Sequence, residues 1–172
     1  MPVTPTLAAC TATQISSVVT ACLSVTSTNA ECNTFFMDTA NQGCAMCLSA
    51  GVPDAGSGTG ALVFDYTGSY FIDVNWGGCV ALEDPANGPP CAQAFEPLDQ
   101  CNAQACGLNQ ACNTQTLYDT CIMGADATGG VCGAEAAAMV ACQSFEADGG
   151  ALATGKCSTM TDVINVICGA GP

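Results

Sequence analysis

Apolar side chains recur at Ile15, Val18, Val19, Cys22 and Leu23, and Met160, Val163, Ile164, Ile167 and Cys168 repeat that spacing much further along the chain. Steps of three and four residues place such a set on one face of a helix. Start signals agree with this reading. Thr4-Pro5 offers a cap followed by proline at the first helical position, and Thr28 with Glu31 makes a capping box. The pattern predicts about six helices, over 5–25, 29–49, 90–105, 109–123, 132–147 and 158–169. One stretch has a different period. After the glycine-rich "GVPDAGSGTG", the run "ALVFDYTGSYFIDVNW" alternates on both sides of Thr67-Gly68-Ser69, which predicts a β-hairpin near 61–76. Leu62 then opposes Val74, Phe64 opposes Ile72 and Tyr66 opposes Tyr70, with Trp76 extending the same apolar face. Those seven side chains are the candidate interaction face, suited to an apolar ligand or to an edge that pairs with another copy.

Each predicted helix carries two cysteines: Cys10 and Cys22, Cys32 and Cys44, Cys91 and Cys101, Cys112 and Cys121, Cys132 and Cys142, Cys157 and Cys168. Their separations nearly match between successive helices, at 12 and 12, then 10 and 9, then 10 and 11. An antiparallel helical hairpin with two nested disulfides requires such a match. The expected bonds are Cys22–Cys32 inside Cys10–Cys44, Cys101–Cys112 inside Cys91–Cys121, and Cys142–Cys157 inside Cys132–Cys168. Cys47 and Cys79 flank the β-hairpin, so a bond between them would clamp its base. That leaves Cys106 as the odd thiol, in the turn between two helices and open to an intermolecular bond. The pattern is similar in geometry to the twin C-x9-C hairpins of small oxidised helical proteins; nine residues separate Cys22 from Cys32, Cys91 from Cys101 and Cys132 from Cys142. The expected fold is mainly α and disulfide-rich. Three stapled antiparallel helical hairpins carry one inserted β-hairpin, divided as 1–50, 51–80 and 81–172 within one compact domain.

Fifteen cysteines in 172 residues change the picture from a helical bundle to an oxidised scaffold. Aromatics make up only 6% of the chain, so small side chains must build the core with covalent help. The five methionines after Met1 sit at helical spacings and are expected to fill that core. The sequence points to a secreted or cell-surface protein. No signal is visible in "MPVTPTLAAC", and Met1 reads as a start that follows a removed signal.

Charge narrows the function further. Lys156 is the one basic side chain against fifteen acids, giving a net charge of −14. Nucleic acid and anionic membrane are therefore excluded as partners, because neutralising phosphates needs lysine and arginine. No apolar run approaches the ~18 residues of a membrane span. Without histidine or arginine, Ser-His-Asp and Cys-His catalysis have no base, and no paired carboxylates stand in a recognisable arrangement. The Cys44–Cys47 C-x-x-C closes a helix instead of opening one, so a structural role is expected. One such pair without histidine makes no zinc frame, no EF-hand loop of the D-x-D-x-D-G type is present, and neither a cofactor nor a metal site is named.

"ACTATQ", residues 9–14, resembles the start of elicitins, secreted all-helical sterol carriers, although the fifteen cysteines depart from the six-cysteine elicitin frame. The favoured expectation is a non-enzymatic extracellular structural or surface-interaction protein that self-associates, as an oligomer or a filament. The alternatives are a carrier of an apolar small molecule or lipid and a thiol-metal protein using Cys101, Cys106 and Cys112.

Overall fold

The computed structural model describes residues 8–24, 27–49, 60–64, 71–107, 114–147, 150–152 and 155–169. Thr11 starts the first helix. Its hydroxyl accepts the Gln14 N–H at 3.3 Å while its own N–H donates to Gln14 Oε1 at 2.9 Å, a capping box ahead of α1 (Ala12–Val18). The helix therefore begins at Ala12; Thr4-Pro5 lies outside the described residues. A π turn, Val19–Leu23, carries α1 on to Cys22.

Thr28 and Glu31 form a second capping box, which opens α2 (Asn29–Met37). The single helix expected over 29–49 breaks at Asp38. That residue is extended, and its carboxylate accepts the Ala40 N–H at 2.9 Å. A short acidic side chain competes here with the helix for a backbone donor. The chain turns through a 3-10 segment, Thr39–Asn41, into α3 (Gln42–Leu48). Cys22–Cys32 and Cys10–Cys44 staple this part, with Cα separations of 4.6 and 4.5 Å.

The strand pair is shorter than the expected hairpin. β1 (Leu62–Phe64) runs antiparallel to β2 (Phe71–Val74), with Leu62 opposite Val74 and Val63 opposite Asp73. The register shifts between Val63 and Phe64, so Phe64 meets Phe71 and not Ile72 as expected. One residue of slip separates Phe64 from the Ile72 partner that strict alternation assigns to it. Tyr66 and Tyr70 lie outside the described residues. Trp76 does not extend the strand either. Asn75 accepts the Gly78 N–H at 2.7 Å and caps a helix absent from the sequence expectation, α4 (Trp76–Glu83). At Gly77 this helix approaches its neighbour so closely that a Cβ would lie 2.8 Å from the Ala92 carbonyl oxygen.

Prolines in the first turn open α5 (Gly88–Asn102), which runs through Pro97 into a π turn, Ala103–Gly107. α6 (Gln115–Asp126) is capped by Thr114. A turn with Gly129 at φ 84° leads to α7 (Gly133–Ala138), a 3-10 segment (Met139–Cys142) and α8 (Gln143–Glu146). α9 (Met160–Cys168) opens on a Thr159–Asp162 capping box.

Here the disulfides depart from sequence-neighbour hairpins. α5 pairs with the segment from α7 to Cys142, through Cys91–Cys142 and Cys101–Cys132. These replace the expected Cys91–Cys121, Cys101–Cys112 and Cys132–Cys168. Cys121 instead bonds Cys106, so Cys106 is not the odd thiol. The apolar face of α9 explains the other changes. Val163, Ile164 and Ile167 are fully buried in the main core, which brings Cys168 to Cys47 on α3 and Cys157 to Cys79 on α4. Cys142–Cys157 and Cys47–Cys79 are excluded by those bonds. Cys112 lies outside the described residues.

The main core gathers Ile15, Val18, Leu48, Leu62, Val74 and Val80 around the α9 face and the buried half-cystines. A smaller cluster centres on Cys106, Ala125 and Cys132, with Leu98, Tyr118 and Ile122 packed against it. Alongside the main core, the Cys10 N–H donates to the Cys168 carbonyl at 2.8 Å, next to a second backbone bond at 2.6 Å from Ala8 to Gly169.

Candidate functional site

Of the expected interaction face, Leu62 and Val74 turn inward and are fully buried, so these two are not available to a ligand or a second copy, while Trp76 is half-buried against the core. Phe64 and Ile72 are described in backbone only, and Tyr66 and Tyr70 fall outside the described residues. The mainly helical fold gives the ladder's inner side the α9 face to pack on, and burying a Leu or Val side chain stabilises by roughly 1.5–3 kcal/mol.

Cys44 and Cys47 share α3 but bond different partners, Cys10 and Cys168. They are cross-links to two distant segments and not a dithiol pair that cycles.

The outer side of α1 carries a hydroxyl-lined furrow. A recess of about 200 Å³ opens between α1 and α9, against Ser16, Thr20, Thr161 and Asn165, with Ile15 and Val19 at its floor. A neighbouring recess of about 350 Å³ shares Ser16 and Thr20 and reaches Glu31. Much of this polarity is already committed. The Thr20 hydroxyl donates to the Ser16 carbonyl at 2.9 Å, and Glu31 accepts from the Thr28 hydroxyl at 2.8 Å. The furrow offers hydroxyl and amide groups beside the Glu31 carboxylate.

Three polar arrangements stand outside it. Lys156 Nζ lies 3.2 Å from Glu83 Oε2. Asp84, just past α4, accepts the Asn87 side-chain amide at 2.9 Å and the Asn87 and Ala86 N–H groups at 3.1 Å. The Asn87 side chain, and then its backbone N–H, hold the Asp84 carboxyl below its ordinary value of 3.8. In the smaller cluster, the buried Asn102 donates to Asp126 Oδ2 at 3.4 Å, and among the described residues the buried Oδ1 atoms of both have no hydrogen-bond partner. Among the described residues no three His, Cys, Asp or Glu side chains gather where they would hold a metal ion. Neither Asn102 nor Asp126 is marked by any periodicity in the sequence, so reading the chain alone could not bring them together.

No helix among the described residues is long and apolar enough to cross a membrane. Seven disulfides among the same residues are consistent with an extracellular location. No protein-family model matches the chain, and comparison with curated proteins and with solved structures found none similar to it.

Proposed function

We propose that this chain is a non-enzymatic extracellular structural or surface-interaction protein, and that copies of it join through Cys112. One observation carries the reading. The fourteen described cysteines use one another up in seven bonds, and a count of fifteen leaves Cys112 over. Cross-links at this density suit a durable part held outside the cell, where such bonds persist. The sequence places Cys112 two residues before Thr114, which caps α6. A bond at that point would leave both helical cores intact.

Intact mass of the native, non-reduced protein, with thiols alkylated under denaturing conditions, tests this. Twice the chain mass, collapsing to one chain on reduction and lost in Cys112→Ser, is the expected result. A monomer with a single alkylated thiol at Cys112 would remove covalent assembly. Wholesale alkylation of the cysteines would overturn the oxidised scaffold itself and return attention to thiol-bound metal.

A further inference from the structure

The methionines do not fill the core as their spacing suggested. Met37 is 83% exposed, Met123 67%, Met46 65% and Met160 36%. Met139 differs: it packs half-buried against the main core, its sulfur 3.9 Å from Cys142 Sγ. Methionine ordinarily ranks among the more buried side chains. Here isoleucine, valine, leucine, phenylalanine and half-cystine fill the interior. A thioether in water contributes no packing there and keeps a reactive lone pair. The described cysteines are already oxidised to disulfides, so among those residues the thioethers are the readily oxidised sulfur.

We propose that the exposed thioethers of Met37, Met46 and Met123, and more slowly the less exposed Met160, are sacrificial sites that reduce two-electron oxidants such as hydrogen peroxide. The sulfur lone pair attacks one peroxide oxygen; an S–O bond forms as the O–O bond breaks. The proton on the attacked oxygen passes to the departing one, which leaves as water. Sulfur gives up two electrons and becomes the sulfoxide, while the peroxide is reduced. Each site acts once. A sulfoxide at these positions stays in water, so the fold survives its own oxidation. At Met139 the same change would set a polar group against the core. This inference uses no property of Cys112 and stands whether or not copies cross-link.

The test is limiting hydrogen peroxide added to the full disulfide-bonded chain, with any free thiol alkylated beforehand, followed by peptide mass mapping and near-ultraviolet circular dichroism. Oxygen should appear first at Met37, Met46 and Met123, at rates per thioether near that of free methionine. Met160 should follow, and Met139 should lag by about tenfold or more, with the dichroism unchanged. Oxidation of Met139 in step with the exposed three, or loss of the native spectrum as they oxidise, would overturn the proposal. A Met37→Leu, Met46→Leu, Met123→Leu variant should fold and lose most of the rapid uptake. If it consumes peroxide as quickly as the parent, these thioethers are not the reductant.

Discussion

Lys156 Nζ lies 3.2 Å from Glu83 Oε2, and one helical turn back along α4 from Glu83, Cys79 is bonded to Cys157. An ion pair and a disulfide thus clasp the same helix from adjacent residues. The lysine is 53% exposed, so the ionic part contributes little, about 0–1 kcal/mol, and the covalent part dominates.

Lys156 is also the single point at which trypsin can cut. A cut after it should add one water to the non-reduced mass and release nothing, because Cys79–Cys157 and Cys47–Cys168 hold the new fragment. Adding reductant should then free residues 157–172. Release without reductant would contradict those two bonds.

Removing disulfides in pairs should rank by the loop each one closes. Cys22–Cys32 spans 10 residues, and replacing both by alanine should cost roughly 3 kcal/mol. Cys47–Cys168 spans 121, but Cys79–Cys157 shortens the closed path, so the cost should be roughly 4 kcal/mol. Equilibrium unfolding in guanidinium of the two double variants decides; equal or reversed costs would show that loop entropy does not govern this frame.

Gly77→Ala should destabilise by about 1–3 kcal/mol, since the new methyl group meets the Ala92 carbonyl 2.8 Å away. Gly124→Ala makes the control, with open space around the added atom. A thermal melt that moves equally for both would remove the close α4–α5 approach as the cause.

Asp84 supplies the pH dependence. Its carboxyl is held below 3.8 in the folded chain, so the ionised form is favoured by folding. The stabilisation is present above 3.8 and fades as pH falls through the lower, folded value. Asn87→Ala removes the largest cause and should raise the Asp84 titration midpoint towards 3.8 in a carbon-detected NMR titration. An unmoved midpoint would reassign the shift to the backbone N–H groups of residues 87 and 86.

Helices were the legible part of this fold. The apolar steps at Ile15, Val18 and Cys22, and at Val163, Ile164 and Ile167, are the buried faces of α1 with the π turn that follows it, and of α9. α4 was not legible, because the alternation through Val74 and Trp76 reads on as strand until Asn75 captures the Gly78 N–H. The disulfides show how far spacing alone reaches. Cys91 and Cys101 share a ten-residue step with Cys132 and Cys142, and the structure joins those two pairs. Reading neighbours as partners hid this. Consecutive elements usually pack together, but here α6 is tied to the π turn by Cys106–Cys121 and α5 is free to meet a later segment. No candidate site was legible in the same way. Alternation correctly marks Leu62 and Val74 as sharing a face, but it cannot say whether α9 or solvent covers that face.

The two ends of the C-x-x-C have a mechanical meaning. If the segments before Cys10 and after Cys168 are pulled apart, tension need not pass through the body of the chain. It crosses from Cys10 to Cys44, runs along one turn of α3, and leaves through Cys47 to Cys168. Fully stretched, that covalent route spans roughly 20 Å, where the backbone between the same two cysteines would extend to roughly 500 Å. The strand pair, α5, α6 and their disulfides hang beside the load line and bear none of it. Pulled from those two segments, the chain would act as a short inextensible link, rigid until one of two sulfur–sulfur bonds is reduced.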